Sequence, residues 1–346
     1  MTRSFSVASI IDDVRTRGDA AVAEWSNYFD HTEATLPRRA VAGPGLPVDA
    51  VLAAADAVRR WHGAQWPRDI TMEVFPGVVL ERRWTPLRSV GVYVPKNLVS
   101  TLIMGAVPAQ VAGVERIVVC TPPSGAALVA AAAELLGIDE VWAVGGVQAI
   151  AAMAYGTELI SPVDKIVGPG GGPVNAAKLL VSQDVAIDLP AGPSEIVVVA
   201  DDDVDEAIIQ QELDAQMEHG PDSKGYVVRV GNDLEAALQA VETHAGEHVF
   251  LLGEQAESLA PRIRNAGAVF VGKFSPVPAG DYATGGNHVL PTGGWSRSTG
   301  GLGLESFMKT VTVQRVSEEG LARLAPTIEA LAEIEGMFNH KKTARR

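Results

Sequence analysis

The 346-residue chain reads as an α/β protein built from two Rossmann-like parallel-sheet units, with an N-terminal helical segment before them and a C-terminal helical tail after them. Three observations predict this arrangement. Through the middle of the chain, short β-branched runs alternate with longer Ala- and Leu-rich stretches, the order expected of a parallel sheet wound with helices on both faces. The alternation breaks near DLPAGPSE at 188–195 and then restarts, so two units are expected. The first 80 residues carry helical spacing instead, interrupted by the loop PRRAVAGPGLP.

Taken in order, IIDDVRTRGDAAVAEWSNYFD and the stretch 48–63 predict the helices of a segment over 1–80, expected to pack on the second α/β unit. Over 81–190, SVGVYVP, a helix through Ile103 to Val114, RIVVCTPP, ALVAAAAELLG, EVWAVGG, VQAIAAMAYG, DKIVGPG and GPVNAAKLLV alternate strand with helix. Over 191–300 the sequence repeats the scheme with EIVVVADDD, a helix from Asp205 to Glu218, KGYVVRVG, a helix from Asp233, HVFLLG and GAVFVG. Over 301–346, an amphipathic helix from Glu318 to Leu331 precedes the polar, basic end KKTARR.

Composition narrows the function. A content of 47% hydrophobic and 20% charged residues suits a large buried core. The formal charge of -14, from 28 basic and 42 acidic residues, argues against a nucleic-acid partner, because little here would replace counterions along a phosphate backbone. The start, MTRSFSVASIIDDVRTRGD, carries charges through its apolar pattern and fits an amphipathic helix better than a signal peptide. With no long uncharged apolar run, no membrane span is expected. Cys120, the single cysteine, fits a reducing cytoplasm and a buried, inert thiol.

The residues that could do chemistry are scattered. Gln216 and His219, three apart at the end of a helical run stopped by Gly220-Pro221, share one face and can converge on one ion. An exposed polar helix end is the competing reading, since Gln is an uncommon ligand. Asp281 sits in the turn-rich PAGDYATGGNHVLPTGG, as a binding-loop residue or as a turn former. His288 in the same stretch could stabilise the loop, touch substrate or ligate, and His340 lies near the chain end. Two His, one Asp and an amide oxygen would suit Zn²⁺ with room left for a substrate. Glu247 and His248 open the strand-like run VFLLG after Gly246, and together they offer two different proton transfers. Adjacent strand residues point to opposite faces, so for both to act the backbone must leave strand geometry there. VGGVQ at 144–148 and VGPGGGPVN at 167–175 each lead from a strand into a helix, where backbone N–H groups can face phosphates. Neither is a clean dinucleotide fingerprint.

Taken in order, these motifs resemble the histidinol dehydrogenase family. The resemblance runs nearly end to end, through VGVYVP, AVPAQVAGVERIVVCTPP, VGGVQAIAAMAYGTE, IDLPAGPSE, EHGPDS, GEH, AGDYATGGNHVLPT and EGMFNH. It implies a zinc-dependent, NAD-linked oxidation of L-histidinol through L-histidinal to L-histidine. By motif, Gln216, His219, Asp281 and His340 match the zinc ligands, and Glu247 and His248 the catalytic pair, with His248 as base towards the alcohol and Glu247 activating water. Ser194, His288 and Glu335 match substrate contacts, as do the ligand positions and His248; Tyr93 and Gln148 match positions that touch NAD. The resemblance also implies a cytoplasmic homodimer with shared sites, Glu335 and His340 reaching the partner on the C-terminal tail.

The chain departs from the family pattern in three places. Several dozen residues are missing, most of them between EHGPDS and GEH; after YVP the usual glycine loop is replaced by Lys96-Asn97-Leu98; and Gly171 stands where an Asn normally follows GPG. The last two fall on the dinucleotide side. They leave open a paralogue that oxidises another polar primary alcohol, or a non-catalytic zinc- or ligand-binding homologue.

Overall fold

The computed structural model describes residues 5–32, 38–189 and 192–344. Helices α1 (Val7–Arg17), α2 (Asp19–Asp30) and α3 (Val48–Gly63) come first. Ser6 caps α1 through a reciprocal capping box with Ser9, and Gly18, at φ 54°, breaks the run before α2. Strands β1 (Ile70–Phe75) and β2 (Val78–Pro86) follow. The first alternating stretch gives β3 (Ser89–Tyr93), α4 (Val99–Ala112), β4 (Arg116–Thr121), α5 (Ala126–Leu135), β5 (Glu140–Ala143), α6 (Gly146–Tyr155), β6 (Lys165–Val167), α7 (Gly172–Val181) and β7 (Ala186–Ile187). The second gives β8 (Glu195–Ala200), α8 (Glu206–Met217), β9 (Lys224–Arg229), α9 (Leu234–His244), β10 (His248–Leu252), α10 (Glu254–Glu257), β11 (Ala268–Val271) and α11 (Val277–Tyr282). Strand β12 (Met308–Val316) and helices α12 (Glu318–Ile334) and α13 (Phe338–Thr343) close the chain.

Two compact units result. The first takes the described residues up to Gln65 together with Leu87–Phe307, and the second takes Trp66–Pro86 and the described residues from Met308 onward. Inside the first unit lie both predicted parallel sheets, in the orders β5-β4-β3-β6-β7 and β11-β10-β8-β9. Their strands are short and apolar because both faces are covered: β8 and β10 are buried almost throughout. In the first sheet the chain winds away from β3 towards β5 on one side and from β6 to β7 on the other, so the topological switch lies between β3 and β6.

The N-terminal helices pack differently from expectation. Rather than covering the second sheet, α1 lies on α6 and α7, with α2 on α6, and α3 lies on α4 and α5. Ile10, Val14, Val22 and Trp25 join the core of the first sheet. Periodicity defined an apolar stripe on each helix, but the nearest uncovered apolar surface belonged to the first sheet's helix layer.

The second unit was not foreseen as a body. Its sheet, β1-β2-β12, is antiparallel, with β12 registered on β2 from Met308 opposite Pro86 to Val316 opposite Val78. The helical segment expected over 1–80 therefore ends before β1, and the tail begins with a strand. All six residues of β1 are exposed, Ile70, Met72 and Phe75 among them. Among the described residues no helix is long and apolar enough to cross a membrane.

Candidate active site

Six of the expected residues, Ser194, Gln216, His219, Glu247, His248 and Asp281, meet at the amino-terminal edge of the second sheet. In β-α-β units each helix runs back against its strand, so α8 leaves the far end of β8 and delivers Gln216 and His219 to the edge where β8 and β10 begin. Ser194 stands just before β8. Glu247 lies in the bend before β10 and His248 is the first strand residue, so the backbone departs from strand geometry where two adjacent side chains have to share one site.

Hydrogen bonds fix these groups individually. Ser194 Oγ donates a short bond to Glu247 Oε2, which also accepts from the Glu195 N–H at 3.1 Å. With its one proton committed, Ser194 Oγ accepts from Gln216 Nε2 at 2.7 Å. That bond turns Gln216 Oε1 away from Ser194, and this oxygen is buried without a partner. His219 Nδ1 lies 3.3 Å from the Gln216 carbonyl oxygen, which can only accept, so the ring proton is assigned to Nδ1 and the Nε2 lone pair is free. His219 Nε2 stands 4.0 Å from Asp281 Oδ2 on α11. The start of α11 is held by Glu212 of α8, whose Oε2 accepts from the Val277 N–H at 3.1 Å. The Glu212 tie was not foreseen; its one signal is a carboxylate a helical turn before Gln216.

The electrostatics separate the proton-transfer groups. Burial pushes the Glu247 carboxyl up to about 7, against the opposing bonds from Ser194 and Glu195. Burial lowers His248 to about 3, helped by the nearby His219 ring, 6.4 Å away between centroids. Neither His248 ring nitrogen has a hydrogen-bond partner, and Nδ1 lies 3.8 Å from Glu247 Oε2. Burial likewise raises Asp281 and lowers His288 to about 4. His288 is held in its loop by Asn287, whose Nδ2 donates to the Met104 carbonyl of α4 at 2.8 Å.

Among the described residues no group of three or more His, Cys, Asp or Glu side chains forms a metal cage. What is present is a carboxylate, an imidazole nitrogen and a buried amide oxygen with no protein partner. An orphaned buried carbonyl is costly unless a cation or donor completes it, so this set fits an oxygen- and nitrogen-coordinated metal lacking a further ligand. Glu335 and His340 belong to the second unit, at the end of α12 and in α13, and both are exposed.

On the other sheet, the expected cofactor residues lie at the carboxyl edge. The Tyr93 hydroxyl accepts from the Gly146 N–H at 3.1 Å. Gln148 is fully buried, yet neither amide atom has a partner, and Asn175 Oδ1 is unpartnered too. Near the ends of β4 and β5 opens a cavity of about 480 Å³, whose lining includes Ser26, Asp30, Arg38, Ser124 and Val144. Ser26 Oγ and Asp30 Oδ2 are buried without partners. These orphaned groups and the cavity fit a polar ligand such as a nucleotide. Ser26 and Asp30 were missed in the sequence; two polar residues four apart on an otherwise apolar helix face were the available signal. The shortened turn after β3 is well seated: Lys96 adopts φ 48°, its carbonyl accepts from Thr121 Oγ1 at 2.9 Å, and a Cβ on Gly125 would come within 2.0 Å of that oxygen.

His62 and His244 have structural partners. His62 is buried with Nδ1 2.8 Å from the Val58 carbonyl oxygen, and His244 packs on the Tyr226 ring. Burial pushes the Cys120 thiol far up, which makes it unreactive.

Comparison with known proteins follows this geometry. The histidinol dehydrogenase family model matches residues 2–232 and 224–346, two stretches that overlap over 224–232. Histidinol dehydrogenase of Methanosarcina barkeri is 38% identical across 98% of this chain and 90% of the relative, and that of Methanothermobacter thermautotrophicus is 39% identical across 98% and 92%. The first of these alignments runs over 393 positions, more than the 346 residues present here. The crystal structure of histidinol dehydrogenase from Elizabethkingia anophelis superposes with a TM-score of 0.90 at 32% identity, covering 99% of this chain and 92% of that one. Family model, full-length relatives and fold agree, and the chain belongs to the histidinol dehydrogenase family, whose members are oxidoreductases.

Proposed function

We propose that this chain oxidises L-histidinol through L-histidinal to L-histidine, the last step of histidine biosynthesis, using NAD⁺ at a zinc-dependent site. The observation that carries the reading is the set of buried polar atoms without protein partners at one sheet edge: Gln216 Oε1 and both nitrogens of His248, beside His219 and Asp281. Gln216, His219 and Asp281 would hold zinc, with His340 as the fourth ligand. Zinc there would supply a fixed point for the amine and imidazole nitrogens of histidinol. Tyr93 and Gln148 would be among the residues that hold NAD⁺ on the first sheet, and NAD⁺ there would supply the hydride acceptor.

The protein's own groups handle the protons. His248, neutral and unpartnered, accepts the alcohol proton as the hydride leaves the carbinol carbon, giving the aldehyde. Burial makes an imidazolium unfavourable here, and the Glu247 carboxylate beside Nδ1 is the counter-charge available when the ring is protonated. Glu247 removes a proton from the water that adds to the aldehyde; a carboxyl held at about 7 is matched to that task near neutral pH. Once a second NAD⁺ has replaced the first NADH and His248 has released its proton to solvent, the hydrate would pass its carbon-bound hydrogen on as hydride while His248 takes one hydroxyl proton. The acid then loses its last proton to solvent and leaves as the carboxylate. Glu247 Oε2 already accepts from Ser194 and Glu195, so Oε1 is the oxygen assigned to the water. Ser194, His288 and Glu335 are assigned to substrate.

A cytoplasmic homodimer completes the site. The exposed β1 face with Ile70, Met72 and Phe75, and the exposed Ile334, Met337 and Phe338 around Glu335 and His340, support burial of the second unit against a second copy. The test is NADH formation from histidinol by metal-stripped protein before and after zinc addition. Turnover restored by zinc supports the proposal. Turnover with only a different polar alcohol favours a paralogue, and zinc binding without any turnover favours a non-catalytic homologue.

A further inference from the structure

Lys178 is among the largest fully buried side chains of the described residues, and no step of the proposed reaction uses it. It lies on α7, faces inward and meets Asp188, just after β7, with 2.5 Å between Nζ and Oδ1. Both side chains are almost completely shielded from water. A buried ion pair is weak evidence for stability, because desolvation offsets most of the attraction, and similar-sized uncharged residues often serve equally well. Here the pair does something specific: it grips the backbone of one residue from both sides, through the two peptides that flank it. Lys178 Nζ donates to the Gly168 carbonyl oxygen at 2.7 Å, and the Gly168 N–H donates to Asp188 Oδ2, also at 2.7 Å.

Gly168 is the first residue after β6, at the switch point of the first sheet. It holds φ at 113°, and a Cβ there would come within 2.1 Å of the Tyr93 carbonyl oxygen on β3. Gly168 is therefore pressed against the neighbouring strand, with both its N–H and its carbonyl tied. Four residues on, the loop Gly168–Gly171 delivers the N-terminus of α7, where Gly171 and Gly172 face open space and Asn175 Oδ1 has no partner. The family's Asn is absent at position 171, so this chain has only backbone to offer there and depends more on how that backbone is held.

We infer that the Lys178–Asp188 pair is a positioning device for the dinucleotide: it fixes Gly168 so that the loop leading into α7 is set for the cofactor before the cofactor arrives. Lys178 and Asp188 touch no reacting atom. This inference rests on the reading that NAD⁺ binds at the carboxyl edge of the first sheet, and preorganisation of this kind raises affinity by removing the cost of ordering the loop.

The test is the double variant K178M/D188N, which keeps approximate volume and removes both charges, so no unpaired buried charge remains. Equilibrium NAD⁺ binding is measured by calorimetry on the zinc-loaded protein, alongside zinc content and kcat at saturating NAD⁺. A Kd and KM for NAD⁺ raised about tenfold, with kcat, zinc content and the KM for histidinol within about twofold, is the expected result. An unchanged NAD⁺ Kd in the folded double variant overturns the inference, as does an equal loss of zinc and kcat, which marks a general structural role. If the wild-type protein itself binds no NAD⁺, it is the cofactor reading that fails. Amide hydrogen exchange on the wild type gives a reading that needs no variant. The Gly168 N–H should be protected without NAD⁺; rapid exchange that slows only when NAD⁺ is added would show the ligand ordering the loop, against the inference.

Discussion

Replacing Glu247 by Gln isolates the electrostatic strain of the proposed acid–base site. In the folded protein burial raises this carboxyl from 4.5 to about 7. A raised carboxyl pKa means the fold favours the protonated form. Its contribution is favourable below the ordinary value and is lost as pH climbs through 7, where the buried group must ionise. At about 1.4 kcal/mol per tenfold change, the wild type gives up about 3 kcal/mol by pH 9 relative to a side chain that never ionises. Glutamine keeps the shape and can still accept from Ser194 and from the Glu195 N–H. Glu247→Gln should therefore be more stable than the wild type by about 3 kcal/mol at pH 9 and by under about 1 kcal/mol at pH 5. Urea unfolding followed by tryptophan fluorescence, with chelator present so that no metal contributes, measures both. Equal stability differences at the two pH values, or a variant less stable at pH 9, would refute the burial argument.

Two further expectations follow from the same site. His248→Asn should keep zinc affinity and the circular dichroism spectrum while kcat falls by about a hundredfold or more, since neither ring nitrogen makes a hydrogen bond that holds the fold; an unchanged rate removes it as the base. Mixing His340→Ala chains with His248→Asn chains should restore part of the activity in heterodimers if the tail completes the partner's site, whereas inert mixtures would mean that each site is built from one chain.

Much of this architecture was legible because it is local. The β-branched runs and the Ala-rich stretches gave both sheets, and the helices read from Asp205 and Asp233 do begin there, each residue capping its helix through its side chain. The antiparallel sheet was not legible: β12 pairs with β2 across more than two hundred residues, and the short alternation in β1 and β12 names no partner strand. The packing of α1 and α2 was misjudged for a related reason, since a stripe does not name its partner. At the site, motifs brought out Gln216, His219, Glu247, His248 and Asp281, but only coordinates could reveal that Ser194 sets the Gln216 amide, that Glu212 ties α8 to α11, or that Ser26 and Asp30 face a cavity. Those depend on which polar atoms remain unpaired after folding, a property of the assembled molecule.

The central claim is a four-electron oxidation, and stoichiometry tests it most directly. Zinc-loaded protein given limiting histidinol and excess NAD⁺ should form two NADH for each histidine, with no free aldehyde accumulating, because Glu247 and His248 serve successive steps at one site. One NADH per histidinol with aldehyde released, or no NADH from protein that binds both zinc and NAD⁺, would contradict the account.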